Sequence, residues 1–319
     1  MLKFRLALAL ALLALLPAAL AQTFPTRPVQ IVTGAPAGGP SDLMARYLAQ
    51  QLSLRFPRQF VVENRPGANG AIAGDVVAKA EPSGHVLMLA AASVMAVNPH
   101  LNPQLQWHPM KHFTPIVQIG TTPLAIGVSK ASSIQSLADL VAAARKNPGK
   151  INFAAQTGSM PQLAAKMLEA EMGAELMHVP FRGGGQMHAA ILSNDVEVII
   201  DGITPLIPHF KSGAMRPIAV TGATRVEALP QVPSVAETFR GYESDSWFAL
   251  FGPAGTDPAA VKAVNEAVNA MIKQPEVRAR LVEMAVEPVG GGPEVLQKRL
   301  QGDYEKLGAV IRRAGIKVE

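Results

Sequence analysis

The sequence has 319 residues, with 29 Lys and Arg against 24 Asp and Glu for a formal net charge of +5, and no Cys. That excess is too small for a nucleic-acid footprint, and no basic cluster is interleaved with aromatics. The absence of Cys excludes disulfides, thiolate nucleophiles and thiolate metal sites, and an aromatic fraction of 5% is too low for a carbohydrate-stacking platform.

Lys3 and Arg5, the apolar run from Leu6 to Leu16, and Ala19-Leu20-Ala21 together form the pattern of a secretory leader over residues 1–21. The apolar core is well short of the ~20 residues that span a bilayer, and Pro17 follows it. An exported, periplasmic product is therefore expected.

From Val29 onward short apolar runs alternate with helical patterns, the rhythm of an α/β protein with mostly parallel strands. "VQIVT" is a strand, followed by a helix from "SDLMARYLAQQLSLRF" with Ser41 or Asp42 as N-cap; "QFVVEN" and "HVLMLAA" are strands flanking a helix over 71–80. "IVQIGTTPLAIGVS", interrupted by Pro123, is long enough to leave one sheet and enter another. Past it come a helix at 136–144, strand "INFAA", helix 163–172, strand "LMHVP", helix 186–192, and strands "VEVII" and "RPIAVT". "FALFGPAG" is a further strand, and helices over 258–271, 275–284 and 293–314 close the chain. The last third holds too few strands for its own sheet, so the chain should return to its first unit and cross between two lobes twice.

The stretch "TGAPAGGPSD", residues 33–42, joins a strand end to a helix start. Such a turn exposes amides without intrahelical partners at the positive end of a helix dipole, which is an anion site. A tight structural turn is the competing reading of the same residues. It lacks the P-loop Lys and the G-x-G-x-x-G spacing, which disfavours phosphorylated ligands but not carboxylates. "AAQTGSMPQ" and "HVPFRGGGQ" repeat the device at two further strand-to-helix junctions, and ligands of open α/β sheets sit at carboxyl ends of strands.

Enzyme-like constellations do not assemble. Pro109 argues against a helix presenting His108 and His112 to a metal; His85, His178, His188 and His209 stand isolated; and Ser159 has no evident base. Asp201, ending a buried strand, either contacts a ligand amine or hydroxyl or caps the next helix.

The segments "PVQIVTGAPAGGPSD", "VVENRPGANGAIAGDVVAKAEPSGHVLML", "VPFRGGG", "MRPIAVTGATRVEALPQVPSVAE" and "FALFGPAGT" resemble, in order and over nearly all of the chain past the leader, the Bug-type extracytoplasmic solute-binding proteins of tripartite tricarboxylate transporters. The resemblance implies a type II periplasmic-binding-protein fold, a Venus flytrap of two α/β lobes, with residues 22–124 plus 241–319 as one lobe and 125–240 as the other. It implies a monomeric receptor for a small organic carboxylate that serves transporter membrane subunits, without cofactor, metal or nucleic acid; ligand sensing and, less favoured, exported hydrolysis are the alternatives. The implied ligand-binding residues are Gly34, Ala35, Pro36, Ala37, Gly38, Gly39, Ser41, Asp42 and Ser93 from the first lobe. From the second they are Gln156, Thr157, Gly158, Ser159, Phe181, Arg182 and Gly183, and Asp201 is added as a candidate from its place at a strand end. Three departures stand out. Gly34 and Ala35 replace a usual aromatic, Met160-Pro161-Gln162 replace a region that usually includes His, and Phe181-Arg182 replace Tyr-Lys, which trades a phenol for a planar fork suited to carboxylates.

Overall fold

In the computed structural model residues 24–181 and 183–317 are described, so the leader and Arg182 lie outside the described residues. Strand β1 (Val29–Thr33) is flanked by β2 (Phe60–Asn64) and β3 (Val86–Ala91), both parallel to it. A strand with neighbours on both edges and helices on both faces has no polar side, and Val29, Ile31 and Val32 are fully buried accordingly. Helix α1 (Pro40–Ser53) lays Met44, Leu48 and Leu52, spaced four apart, against one face. Helix α2 (Ala71–Ala78) precedes β3, and a π-turn (Ser93–Val97), a short α3 (Asn98–Leu101) and α4 (Pro109–His112) follow it.

Strand β4 (Phe113–Ser129) changes partners along its length. Residues from Phe113 to Pro123 pair with β9 (Asp245–Pro253), whereas Leu124 to Val128 pair with β7 (Val198–Gly202) and Ala125 to Ser129 with β8 (Met215–Val220). The change falls at Pro123, which has no N–H to continue a ladder. The expected sheet-to-sheet strand is thus present, and the crossover sits at Pro123–Leu124. Beyond it come α5 (Leu137–Lys146), β5 (Asn152–Ala155), α6 (Met160–Met172), β6 (Met177–Pro180), α7 (Gly184–Leu192) and, after β7, α8 (Ile203–Lys211). The chain closes with α9 (Pro258–Met271), α10 (Pro275–Glu283), the two-residue β10 (Glu287–Pro288) on β4, and α11 (Pro293–Ala314). The order β2-β1-β3-β9-β4-β7-β5-β6 places parallel ladders in the two outer sets and antiparallel ladders around β4.

This register decides where loops converge. Ala91 of β3 faces Phe248, and Asp245 at the head of β9 faces Pro123, so β1, β2 and β3 run toward the crossover. Gly202 at the end of β7 faces Leu124, and β5 and β6 run parallel to β7. The carboxyl ends of both parallel sets therefore point at one another across Pro123–Leu124, the arrangement that makes a binding crevice in open α/β sheets. Helix α11 buries Leu296, Leu300, Leu307 and Ile311 in a core cluster that draws on both sets. Among the described residues no helix is long and apolar enough to cross a membrane.

Two local expectations fail. Helix α8 contains Pro205 and Pro208 and was not anticipated, because prolines within a short apolar run mask its 3.6-residue period. Pro109 does not prevent a helical turn at 109–112, since it occupies the first helical position, where its missing N–H costs nothing. His108 caps that turn by accepting the Met110 amide, and His112 Nδ1 accepts the His108 amide.

Candidate functional site

The first loop leaves β1 at Thr33 and enters α1. Gly39 is its N-cap and Pro40 its first helical residue, not Ser41 or Asp42 as the N-cap preference predicted; proline's preset φ starts the helix earlier. No described side chain caps the helix, so the Ser41 and Asp42 amides, which helix geometry denies an acceptor, stay open as donors.

The glycines are used differently from one another. Gly38 has φ +83° and donates its amide to Asp42 Oδ2 at 2.8 Å, while the Gly39 amide donates to Pro36 O at 3.2 Å. Asp42 is 1% exposed and also accepts from Arg46 Nε (2.9 Å) and Asn64 Nδ2 (2.8 Å). Burial pushes this carboxyl up, but the hydrogen bonds from Arg46, Gly38 and Asn64 outweigh burial and hold it below its usual range. Asp42 is therefore an ionised brace inside the loop. Ala35 belongs to the same brace, its carbonyl accepting Asn64 Nδ2 at 3.0 Å, whereas Pro36, Ala37 and Gly38 form the exposed tip.

Gly34 is a contact point. A Cβ there would lie 2.5 Å from Gly70 Cα, so the loop rests backbone against backbone on the turn before α2. In that turn Gly67, Ala68, Asn69 and Gly70 all have positive φ, and Asn98 Nδ2 holds it by donating to the Ala68 and Asn69 carbonyls, each at 3.1 Å. Sequence reasoning missed this support, although the Gly-Ala-Asn-Gly run was its visible signal.

Across the crossover the loop from Gln156 to Ser159 repeats the brace at the same spacing. Gly158, at φ +72°, donates its amide to Gln162 Oε1 at 2.8 Å, four residues on, as Gly38 does to Asp42. Gln162 Nε2 lies 3.1 Å from His178 Nδ1, and His178 Nε2 lies 3.0 Å from Ala155 O, a chain satisfied by a neutral His178 with its proton on Nε2. Burial lowers the pKa of this imidazole and favours that form. Ser159 caps α6, and its hydroxyl donates to Gln156 O at 2.6 Å. The acceptor of this hydroxyl is thus a carbonyl oxygen, which is no general base. Gln156 and Thr157 form the exposed tip.

Helix α7 starts at Gly184 behind an uncapped Gly183, whose Cβ position lies 3.9 Å from Gln156 Nε2, so this turn adjoins the Gln156 loop. Half-buried Phe181 donates its amide to Ala155 O at 3.2 Å, and Arg182 lies outside the described residues. Asp201 Oδ1 accepts the Gly202 amide at 2.8 Å, and Oδ2 lies 3.1 Å from His188 Nε2. The N-cap of α8 is Gly202 with no side-chain bond, so the capping reading of Asp201 fails. His188 is not isolated: it pairs with Asp201 and meets the His209 ring edge-on at 5.3 Å. Twelve intervening residues hid that pair from a reading of local motifs. Ser93 opens the π-turn after β3, at the same sheet edge as the first loop.

A groove of about 750 Å³ between α6 and α11, lined by Lys166, Glu169, Glu175 and Arg313, lies at the amino ends of β5 and β6, away from these loops. Among the described residues no three metal-ligating side chains converge.

Comparison with known proteins places this geometry. Residues 44–316 match the family described as the tripartite tricarboxylate transporter family receptor. Protein BugT of Bordetella pertussis is 29% identical over 302 residues, covering 94% of this chain and 93% of BugT. The structure of R. palustris Rpa4515 with adipate has a TM-score of 0.79 at 31% identity, covering 92% of this chain and 99% of that one. MatC (Rpa3494) from Rhodopseudomonas palustris with bound malate has a TM-score of 0.74 at 26% identity, covering 90% and 100%. With the match running through both parallel sets and the crossover between them, the chain belongs to the receptor family of tripartite tricarboxylate transporters, the Bug and TctC solute-binding proteins.

Proposed function

We propose that this protein is an exported, monomeric receptor that captures a small organic carboxylate between two lobes and delivers it to transporter membrane subunits. The lobes are 22–124 with 241–319, and 125–240, hinged at Pro123–Leu124. The observation that carries this reading is the matched pair of braced loops facing each other across the crossover. Gly38 and Gly158 fix them to side chains four residues on, and the uncapped starts of α1 and α7 leave amide donors for an anion. The adipate and malate seen in two structural relatives support a carboxylate as that anion. Ser159, engaged as a cap with a carbonyl as its acceptor, favours capture over hydrolysis.

A thermal-shift screen against mono-, di- and tricarboxylates and amino acids tests the reading, because a ligand that binds only the folded state stabilises it by RT ln(1 + [L]/Kd). At least one carboxylate should raise Tm in a concentration-dependent way; a flat response across the panel would remove the proposal. Export is tested by N-terminal sequencing of protein from the periplasmic fraction, where a start near Gln22 is expected and an intact Met1 is not.

A further inference from the structure

We infer that Asp201 reads a hydrogen-bond donor on the bound carboxylate, a hydroxyl or a protonated amine, with His188 as the residue that positions it. The inference rests on the receptor reading above and narrows its substrate class to hydroxy- or amino-substituted acids.

Placement is the first support. Asp201 pairs in register with Ala125, and Gly202 with Leu124, the residue at which β4 enters its second sheet. It therefore stands at the end of β7 that borders the crevice. It is also beside the turn after β6, since a Cβ on Gly184 would come 3.5 Å from Asp201 Oδ2.

The second support is unused acceptor capacity. A carboxylate has about four lone-pair sites. Asp201 fills one on Oδ1 with the Gly202 amide and one on Oδ2 with His188. Its side chain keeps 20% exposure and that of His188 14%, so both are confined while the acid still presents a face. His188 reaches down from α7 and is steadied by the edge of His209. That ties the start of α7 to the end of β7 and fixes how Oδ2 points.

The third support is charge. The open amides at the starts of α1 and α7 attract a carboxylate into the crevice, whereas a fixed carboxylate at its edge repels a second one placed beside it. The ligand segment over Asp201 is thus favoured to carry a donor. A purely structural pin between α7 and β7 would have no such preference among ligands.

Calorimetric titration with matched sets of four- to six-carbon dicarboxylates, each unsubstituted, 2-hydroxylated and 2-aminated, distinguishes these. Wild-type protein should bind a substituted member about ten- to hundredfold more tightly than its unsubstituted partner, the range of one charge-assisted hydrogen bond. Asp201→Ala should bring that ratio close to one. Asp201→Asn, which keeps an oxygen acceptor without charge, should retain a preference for hydroxyl but lose one for amine, which tells the two donors apart. His188→Leu should reduce the ratio, and His188→Gln, which restores a donor to Oδ2, should recover it. Equal or tighter binding of unsubstituted acids by the wild type would overturn the inference and leave the receptor reading standing. So would an equal loss for both ligands in folded Asp201→Ala, which marks a structural pin. If no carboxylate of any kind bound, the receptor reading itself would fall, and this inference with it.

Discussion

Gly38 and Gly39 are adjacent and alike in sequence, yet only one of them needs to be glycine for its backbone. A side chain at Gly38 would meet nothing within 4 Å, but its φ of +83° costs an L-residue about 1–2 kcal/mol. Gly39 has an ordinary φ of −74°, and its Cβ position lies 3.3 Å from Pro36 O, a contact relieved by a small shift. At Gly34 the clash is with the Gly70 backbone at 2.5 Å, which no rotamer change relieves. Urea denaturation should therefore rank alanine substitutions Gly34, Gly38, Gly39 from most to least destabilising; Gly39→Ala as the worst of the three would contradict the loop geometry. Asp42→Ala should cost about 1–3 kcal/mol, because it strips a buried acceptor from three donors, whereas Ser41→Ala, no longer credited with a cap, should stay within about 0.5 kcal/mol. The pH dependence follows from Asp42's lowered pKa: its stabilisation is present above the usual carboxylate range and is lost as pH falls below it. Asp42→Asn should flatten the acid side of a stability–pH curve. The sequence announced an anion-type loop, but it did not reveal that the Gly38 amide turns inward to Asp42. That is a property of φ and of a side chain four residues away, and no composition rule encodes it.

At the scale of elements, helix α11 is fastened to the head of β9. Arg299 donates to Asp303 at 2.6 Å, to Glu243 at 2.8 Å and to Asp245, while Trp247 Nε1 donates to Asp303 at 2.8 Å. Asp245 stands opposite Pro123, so this network anchors the last helix at the crossover. Arg299→Leu would leave buried Asp245 without its cation and Asp303 with Lys306 alone, 3.3 Å from Oδ1, at a cost of about 3–5 kcal/mol by chemical denaturation; a loss below about 1 kcal/mol would show that the cluster is not coupled as described. Burial pushes Asp245 up to about 6 despite the opposing pull of Arg299. An acid with a raised folded pKa binds its proton more tightly when folded, so its contribution is full below the ordinary value near 3.8 and is lost as pH rises through about 6. Stability of Asp245→Asn should accordingly vary less between pH 4 and 6 than that of the wild type. Strongly periodic elements such as α9 and α11, and the long apolar β4 with its Pro123, were legible in the sequence. Helix α8 was not, because Pro205 and Pro208 imitate loop chemistry while sitting where the helix tolerates or absorbs them.

The whole molecule is organised by one fact of register: both sets of parallel strands run toward Pro123–Leu124. The alternation of strands and helices and the return of the last third to the first sheet make this architecture legible in the sequence. The site was readable in part. Loops at strand ends mark themselves by Gly and Pro, and those at 34–39 and 156–159, with Phe181 and Gly183, fall on the converging edges. Contacts across sequence, such as Gly34 on Gly70 and His188 on Asp201, are set by packing and left no local pattern. In the proposed mode of capture, one carboxylate is held from both sides of the crossover at once. Amide hydrogen exchange, measured with and without a saturating concentration of the tightest-binding carboxylate from the thermal-shift panel, reads this grip on both sides. Slowed exchange is predicted together in peptides covering residues 38–43, 156–160 and 183–187, which span the crossover's two sides. Slowing on one side alone, or on neither, would contradict it.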